Sequence, residues 1–181
     1  MEYVRHIDTA DSNSIWEPID KFLSYYKLWD KDQISLASTD GKNDWQCSIG
    51  KKANLQFSER MYSQVLNFFK DSELEKFINK HNKFYRWRLM KIDPRKTYTL
   101  HKDSDTDKLL NIRLHLPLKT NKQSYLTFFE DNECNGAKFY NLKIDNVYEL
   151  NTSGYHSAIN FGLEPRWHLV GVRYENSNYW S

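Results

Sequence analysis

Six side chains of this 181-residue chain have types and spacing suited to metal chemistry: His101-Lys-Asp103, Arg113-Leu-His115, His156 and Arg166. Two imidazoles and one carboxylate make a facial set for non-haem Fe(II), leaving coordination positions open for a co-substrate and O2. Arg166, ten residues beyond His156, is placed to hold one end of a dicarboxylate whose other end chelates the metal. Each residue alone has a plainer reading: a satisfied core histidine at 115, a polar loop residue at 156, a surface charge opening a strand at 166. Together and in this order they point to an oxidative enzyme, with the substrate left open.

Such residues need a scaffold that brings distant segments to one place. From Phe84 onward the chain runs in short stretches of period two, which is the repeat of a strand. Expected strands are Tyr85–Ile92, Thr97–His101, Asn111–Leu116, Ser124–Phe129, Ala137–Leu142, Asn146–Leu150, His156–Phe161 and Arg166–Tyr174. Turn-forming residues separate them, among them Asp93-Pro94, Asn132 to Gly136 and Gly162 to Pro165. Eight short strands punctuated in this way predict a jelly roll. Before residue 83 the apolar spacing is mostly helical. One helix is expected through Ile15, Ile19, Phe22, Leu23 and Tyr26, capped by Asp11 or Ser14. A second is expected from Ser58 with Met61, Val65, Phe68 and Phe69 on one face, and a third from Ser72 through Leu74, Phe77 and Ile78. A short strand near Gln33 to Ala37 and a loop from Asp40 to Asn54 lie between the first two. The whole chain, 1–181, reads as one domain: a helical preface (1–83) packed on one sheet of a cupin-like β core (84–175).

Alternation also sorts the polar residues. His101 and Asp103 share a face, as do Arg113 and His115, and Arg166 and His168; Ile112, Leu114, Trp167 and Leu169 face away. A polar interior is costly unless something binds it. If the last two strands form a hairpin through Gly162-Leu-Glu-Pro165, strict alternation puts His156 and Arg166 on opposite faces. A bulge is then needed to bring them together.

Composition narrows the alternatives. A net charge of +2 with dispersed Lys and Arg gives no nucleic-acid signature. Cys47 and Cys134 form no disulfide or zinc pattern, and no run of about 20 apolar residues is present. The amino terminus lacks the apolar run of a secretory signal, so a soluble, cytoplasmic protein with no membrane partner is expected. The sequence leaves its oligomeric state open.

Met90 to Asp103, Ile112-Arg113-Leu-His115-Leu-Pro117-Leu, the segment 151–160 with His156-Ser-Ala-Ile-Asn160, and Arg166-Trp-His-Leu-Val170 carry a resemblance. In order and spacing they resemble the double-stranded β-helix core of the Fe(II)/2-oxoglutarate oxygenases. The likeness is greatest to the aspartyl/asparaginyl β-hydroxylase family, which also holds bacterial cis-hydroxylases of free proline. It covers residues 85 to 174, about half of the chain. The resemblance implies that His101, Asp103 and His156 bind Fe(II), that Arg166 pairs with the distal carboxylate of 2-oxoglutarate, and that Arg113 and His115 contact the co-substrate near the metal; His168 is a weaker candidate. It further implies O2-dependent decarboxylation of 2-oxoglutarate coupled to hydroxylation of an unactivated C–H bond, with no side chain needed as a general base.

Two positions depart from the animal members of that family, which carry glycine where Asp103 stands and a serine where Met90 stands. Asp103 draws the chain toward the bacterial branch. At Met90 the missing hydroxyl must come from elsewhere, with Thr97, Tyr98 and Thr99 in range, or not at all. The implied substrate is an amino acid, free and proline-like or within a peptide. The region before residue 84 and the segment Asp103 to Lys108 are expected to set its specificity; Tyr25, Tyr26, Trp45 and Tyr85 either wall the pocket or, as aromatics on a helical face usually do, belong to the core. The alternative is a non-catalytic cupin-type protein that binds a small ligand; it has no need of Arg166.

Overall fold

A computed structural model describes residues 2–50, 58–103 and 109–180. The strands are β1 (Val4–Thr9), β2 (Gln33–Ser35), β3 (Ala37–Ser38), β4 (Gln64–Val65), β5 (Tyr85–Ile92), β6 (Lys96–Thr97), β7 (Leu110–Lys119), β8 (Ser124–Phe129), β9 (Lys138–Tyr140), β10 (Asn146–Asn151), β11 (Tyr155–Asn160) and β12 (Arg166–Glu175). Helix α1 spans Ser12–Tyr26 and α2 spans Glu73–Lys80. A six-stranded sheet has the order β1-β10-β7-β12-β5-β2, a four-stranded sheet the order β6-β11-β8-β9, and β3 pairs with β4. All pairings are antiparallel. This is the expected jelly roll. No helix among the described residues is long and apolar enough to cross a membrane.

Asp11 caps α1 by accepting from the Asn13 and Ser14 amides, and Lys27, in the left-handed region, ends it. Ser72 caps α2. Both helices lie on the outer face of the large sheet, where Ile15, Ile19, Phe22, Leu23, Leu74, Phe77 and Ile78 join Trp87, Leu89, Ile112, Leu114, Leu116, Trp167 and Leu169 in one buried core. These strand residues are the apolar alternates expected to face away from the polar set. Gly171 is required by this packing: a Cβ there would stand 3.0 Å from Phe84 Cβ and from the Trp87 ring. A smaller apolar cluster, with Leu126, Phe128, Leu150 and Ala158, belongs to the interior of the roll.

Three sequence expectations are corrected. The helix expected from Ser58 is instead a 3-10 turn at Glu59–Met61, strand β4, and a second 3-10 turn at Asn67–Phe69. Its backbone is committed to tertiary partners: Leu66 N donates to Leu36 O at 3.1 Å, and Tyr62 O accepts from Arg86 N at 2.7 Å. The apolar spacing is genuine, but Tyr62, Leu66 and Phe69 are the buried residues, and Met61 is exposed. The first 83 residues also contribute the two edge strands of the large sheet, β1 and β2; β1 shows little apolar alternation, since none of its residues is buried. The strand expected at Thr97–His101 shortens to β6 and one isolated bridge between His101 and His156.

The third correction concerns the closing segment. β11 and β12 are not a hairpin: β11 belongs to the small sheet and β12 to the large one. The chain crosses between sheets through residues 161–165, pinned by the fully buried Asn160. Its side-chain amide donates to Ile92 O at 3.0 Å and Glu164 O at 2.8 Å, and its carbonyl accepts from Gly162 N at 3.0 Å. His156 and Arg166 therefore reach one interior from opposite walls, and no bulge between them is needed.

Candidate active site and metal centre

His101, Asp103 and His156 converge, with ligand atoms all within 4.8 Å of one another. The His101–His156 bridge carries paired backbone hydrogen bonds of 3.1 and 2.9 Å, which place the two imidazoles side by side with ring centroids 4.3 Å apart. Each ring is fixed through its other nitrogen: His101 Nδ1 lies 2.7 Å from Thr99 O and His156 Nδ1 lies 3.0 Å from Gly154 O. A carbonyl only accepts, so both Nδ1 atoms carry the proton and both Nε2 atoms present lone pairs. Those Nε2 atoms lie 3.5 and 3.7 Å from the Asp103 carboxylate oxygens. The adjacent-ligand spacing of an octahedral ion with bonds of about 2.1 Å is roughly 3 Å, so this donor set fits a divalent metal with small adjustments. Backbone carbonyls orienting metal-ligating imidazoles are the usual supporting shell.

Asp103 is held as a carboxylate. Burial opposes its charge, but Arg113, His101 and His156 outweigh burial and keep the group well below the usual carboxylate range. Arg113 Nε donates to Asp103 Oδ2 at 2.8 Å. Arg113 thus pairs with a residue of the candidate metal cluster.

Arg166 and His168 on β12 and His115 on β7 form a buried chain. Arg166 Nε donates to His168 Nε2 at 2.9 Å, and His168 Nδ1 lies 3.2 Å from His115 Nδ1. Arg166 Nη2 also lies 3.0 Å from His168 Nδ1, so the guanidinium faces both nitrogens of that ring. Burial, reinforced by Arg166, holds both rings neutral, well below the usual histidine range. Arg166 is itself pushed down to about 9 by burial. Its Nη1 has no hydrogen-bond partner among the described residues.

This neutrality has a pH consequence. Near the ordinary histidine value of 6.5 the unfolded chain takes up protons that folded His115 and His168 refuse. Stability is therefore expected to fall as the pH drops below that value, by up to about 1.4 kcal/mol per pH unit for each ring. Urea midpoints at about pH 7.5 and about pH 5.5 measure it, and a His115→Asn, His168→Asn double variant should flatten the difference.

All six candidate residues, His101, Asp103, Arg113, His115, His156 and Arg166, line one cavity of about 470 Å³. Arg86, Arg88 and Met90 of β5 line it too, with Gln33 and Tyr98. The two arginines were legible by the same alternation that picked out Arg113 and His115, since Arg86, Arg88, Met90 and Ile92 share a face. β5 bulges here: Val170 and Val172 of β12 face Arg88 and Tyr85. Arg86 takes a left-handed φ of 51°, and its side chain pairs with Glu59. The four aromatics do not wall the cavity. Tyr26 and Trp45 pack on the outer core, Tyr25 is exposed, and Tyr85 stacks near Tyr174 instead of lining the cavity. Of the three candidate hydroxyls, Tyr98 and Thr99 line the cavity, whereas Thr97 lies on exposed β6. The Tyr98 hydroxyl sits beside Gln33 and not beside Arg166. Residues 104–108, part of the expected substrate loop, and 51–54 of the expected polar loop lie outside the described residues.

No protein-family model matches the chain, and no curated protein is similar to it in sequence. Solved structures are similar in fold. AviO1 from Streptomyces viridochromogenes superposes with a TM-score of 0.58 at 10% identity, over 97% of this chain and 90% of that one. The non-heme alpha ketoglutarate dependent epimerase SnoN from nogalamycin biosynthesis gives 0.53 at 10% identity, over 97% and 78%. A Pseudomonas putida prolyl-4-hydroxylase gives 0.50 at 11% identity, over 97% and 90%. The chain has the cupin-like jelly roll of the non-heme 2-oxoglutarate oxygenases, with a His-Asp-His cluster inside it.

Proposed function

We propose that this protein is an Fe(II)- and 2-oxoglutarate-dependent dioxygenase that hydroxylates an unactivated C–H bond of an amino acid, free or within a peptide. The observation that carries the reading is the pairing, in one cavity, of two imidazoles and a carboxylate on one side with the buried guanidinium of Arg166, whose Nη1 has no partner among the described residues, on the other. A buried cation without a carboxylate is costly, and a dicarboxylate co-substrate answers it. A plain ligand-binding cupin has no use for that arrangement. The order of the motifs favours the aspartyl/asparaginyl β-hydroxylase-like group, and Asp103 favours its members with a complete triad.

In this reading His101, Asp103 and His156 hold Fe(II), which with 2-oxoglutarate and O2 supplies the oxidising power. Arg166 receives the distal carboxylate in a planar, charge-assisted pair. His168 fixes the angle of that guanidinium by accepting from its Nε. His115, held neutral by burial, faces the co-substrate's end near the metal. Arg113 keeps Asp103 ionised and oriented. The interior wall of Leu126, Ala158 and Val170 limits water around the reacting centre.

Anaerobic titration with Fe(II) and 2-oxoglutarate tests the reading. A weak visible metal-to-ligand charge-transfer band is expected. It should vanish in His101→Ala and need roughly ten- to hundred-fold more 2-oxoglutarate in Arg166→Ala, as loss of a charge-assisted pair requires. Absence of binding by either component would overturn it.

A further inference from the structure

The cavity contains a second cation that the co-substrate does not use. Arg88 lies on β5, buried, and its Nε has no hydrogen-bond partner among the described residues. Its Nη1 donates to Gln33 Oε1 at 3.2 Å, and Gln33 Nε2 donates to the Tyr98 hydroxyl at 2.6 Å. A hydroxyl that accepts from an amide keeps its own proton to give. Guanidinium, carboxamide and phenol thus form a connected corner with two unspent donors. Arg86 is matched by Glu59 and Arg113 by Asp103, whereas Arg88 has no carboxylate among the described residues. The Tyr98 ring is 5.6 Å from that of His101, which sets the corner beside the metal-binding edge.

Resting on the proposed oxygenase reading, the geometry points to Arg88 and Tyr98 as the binding site for a carboxylate of the primary substrate, distinct from the co-substrate's place on Arg166. A divalent metal and a dicarboxylate would still leave this cavity with excess positive charge, so an anionic substrate completes it and a neutral one does not. The substrate is then a small acid whose reacting C–H lies a short reach from its carboxylate. A residue within a peptide chain fits this corner only through a side-chain or C-terminal carboxylate, since its main-chain carboxyl is an amide.

The test uses the protein loaded with Ni(II) and 2-oxoglutarate, which occupies the metal and Arg166 without turnover. Acetate, compared with acetamide at constant ionic strength, is the probe, and the readouts are thermal midpoint and calorimetric titration. Acetate should bind saturably and acetamide should not. Arg88→Met should weaken acetate roughly ten- to hundred-fold and Tyr98→Phe about three- to tenfold, matching loss of a charged and a neutral hydrogen bond. Both variants should bind 2-oxoglutarate within about threefold of the parent, and ligand-free Arg88→Met should melt higher, since an uncompensated buried charge is gone. Tyr98→Phe keeps the test open if Arg88→Met does not fold. The proposal is overturned if acetate binding is absent, or survives in both variants, or if Arg88→Met loses 2-oxoglutarate as completely as Arg166→Met. Should the protein bind no metal or 2-oxoglutarate, the oxygenase reading fails separately. Acetate titration of metal-free Arg166→Met would then still decide the role of Arg88.

Discussion

Asp103→Ala is expected to lose at least about 100-fold in Fe(II) affinity and, separately, to destabilise the metal-free protein by about 3–5 kcal/mol. The first effect follows from the donor set: removing a ligand should exceed the 10- to 100-fold loss typical of disturbing its outer partners. The second follows from Arg113. Its side chain is 8% exposed and its carboxylate partner is Asp103, at 2.8 Å; its Nη1 already lacks a partner among the described residues. Alanine would leave that guanidinium buried and unmatched, the costly case for an ion pair. Adding Arg113→Met should restore much of the stability and none of the iron affinity, so a double-mutant cycle separates the roles. Anaerobic Fe(II) titration and urea unfolding of the four proteins measure both. Full Fe(II) affinity in Asp103→Ala would mean that two histidines suffice here, as in the animal hydroxylases that carry glycine at this place.

Glu149→Ala is expected to be as damaging to stability and silent at the iron. Glu149 lies on β10 with its carboxylate 2.8 Å from Arg173 Nη2, and it accepts from the Tyr179 hydroxyl at 2.7 Å. The Arg173 guanidinium lies over the rings of Phe84 and Tyr179, 4.7 and 4.6 Å from their centroids. Both side chains are at most 10% exposed. Truncation strands a desolvated cation that keeps only the more exposed Glu175 at 3.1 Å. A loss of about 3 kcal/mol is expected, lowering the thermal midpoint by roughly 6–12 °C. Glu149→Gln, which retains an acceptor, should cost less. Because alternation turns Arg173 away from the cavity, Fe(II) affinity should not change; a parallel loss of iron would contradict this placement.

Alternation was the most readable signal in the chain. Tyr85–Ile92 and Ser124–Phe129 begin and end where their apolar and polar residues say they should. Arg113, His115, Arg166 and His168 face inward as period two requires. The Ser58 helix failed because a spacing of three and four is met equally by two tight turns flanking a short strand, once Leu36 and Arg86 claim the backbone. Strand β1 was unreadable since none of its residues is buried and Val4–Thr9 carries Arg5, His6 and Asp8 along its length. The relation of His156 to Arg166 lay beyond local pattern altogether. Whether two consecutive strands pair with each other or with different sheets is decided by their neighbours, and no residue between Gly162 and Pro165 announces it. Arg88 was visible, but its importance came from what it lacks among the described residues, a carboxylate, which only a folded chain displays.

The crossover between β11 and β12 places the metal donors and the guanidiniums on different walls of the roll. Any molecule gripped at both ends becomes a cross-brace between the walls. Occupancy should therefore be felt as stiffness, slowing amide exchange along β11 and β12 together although the two strands never pair.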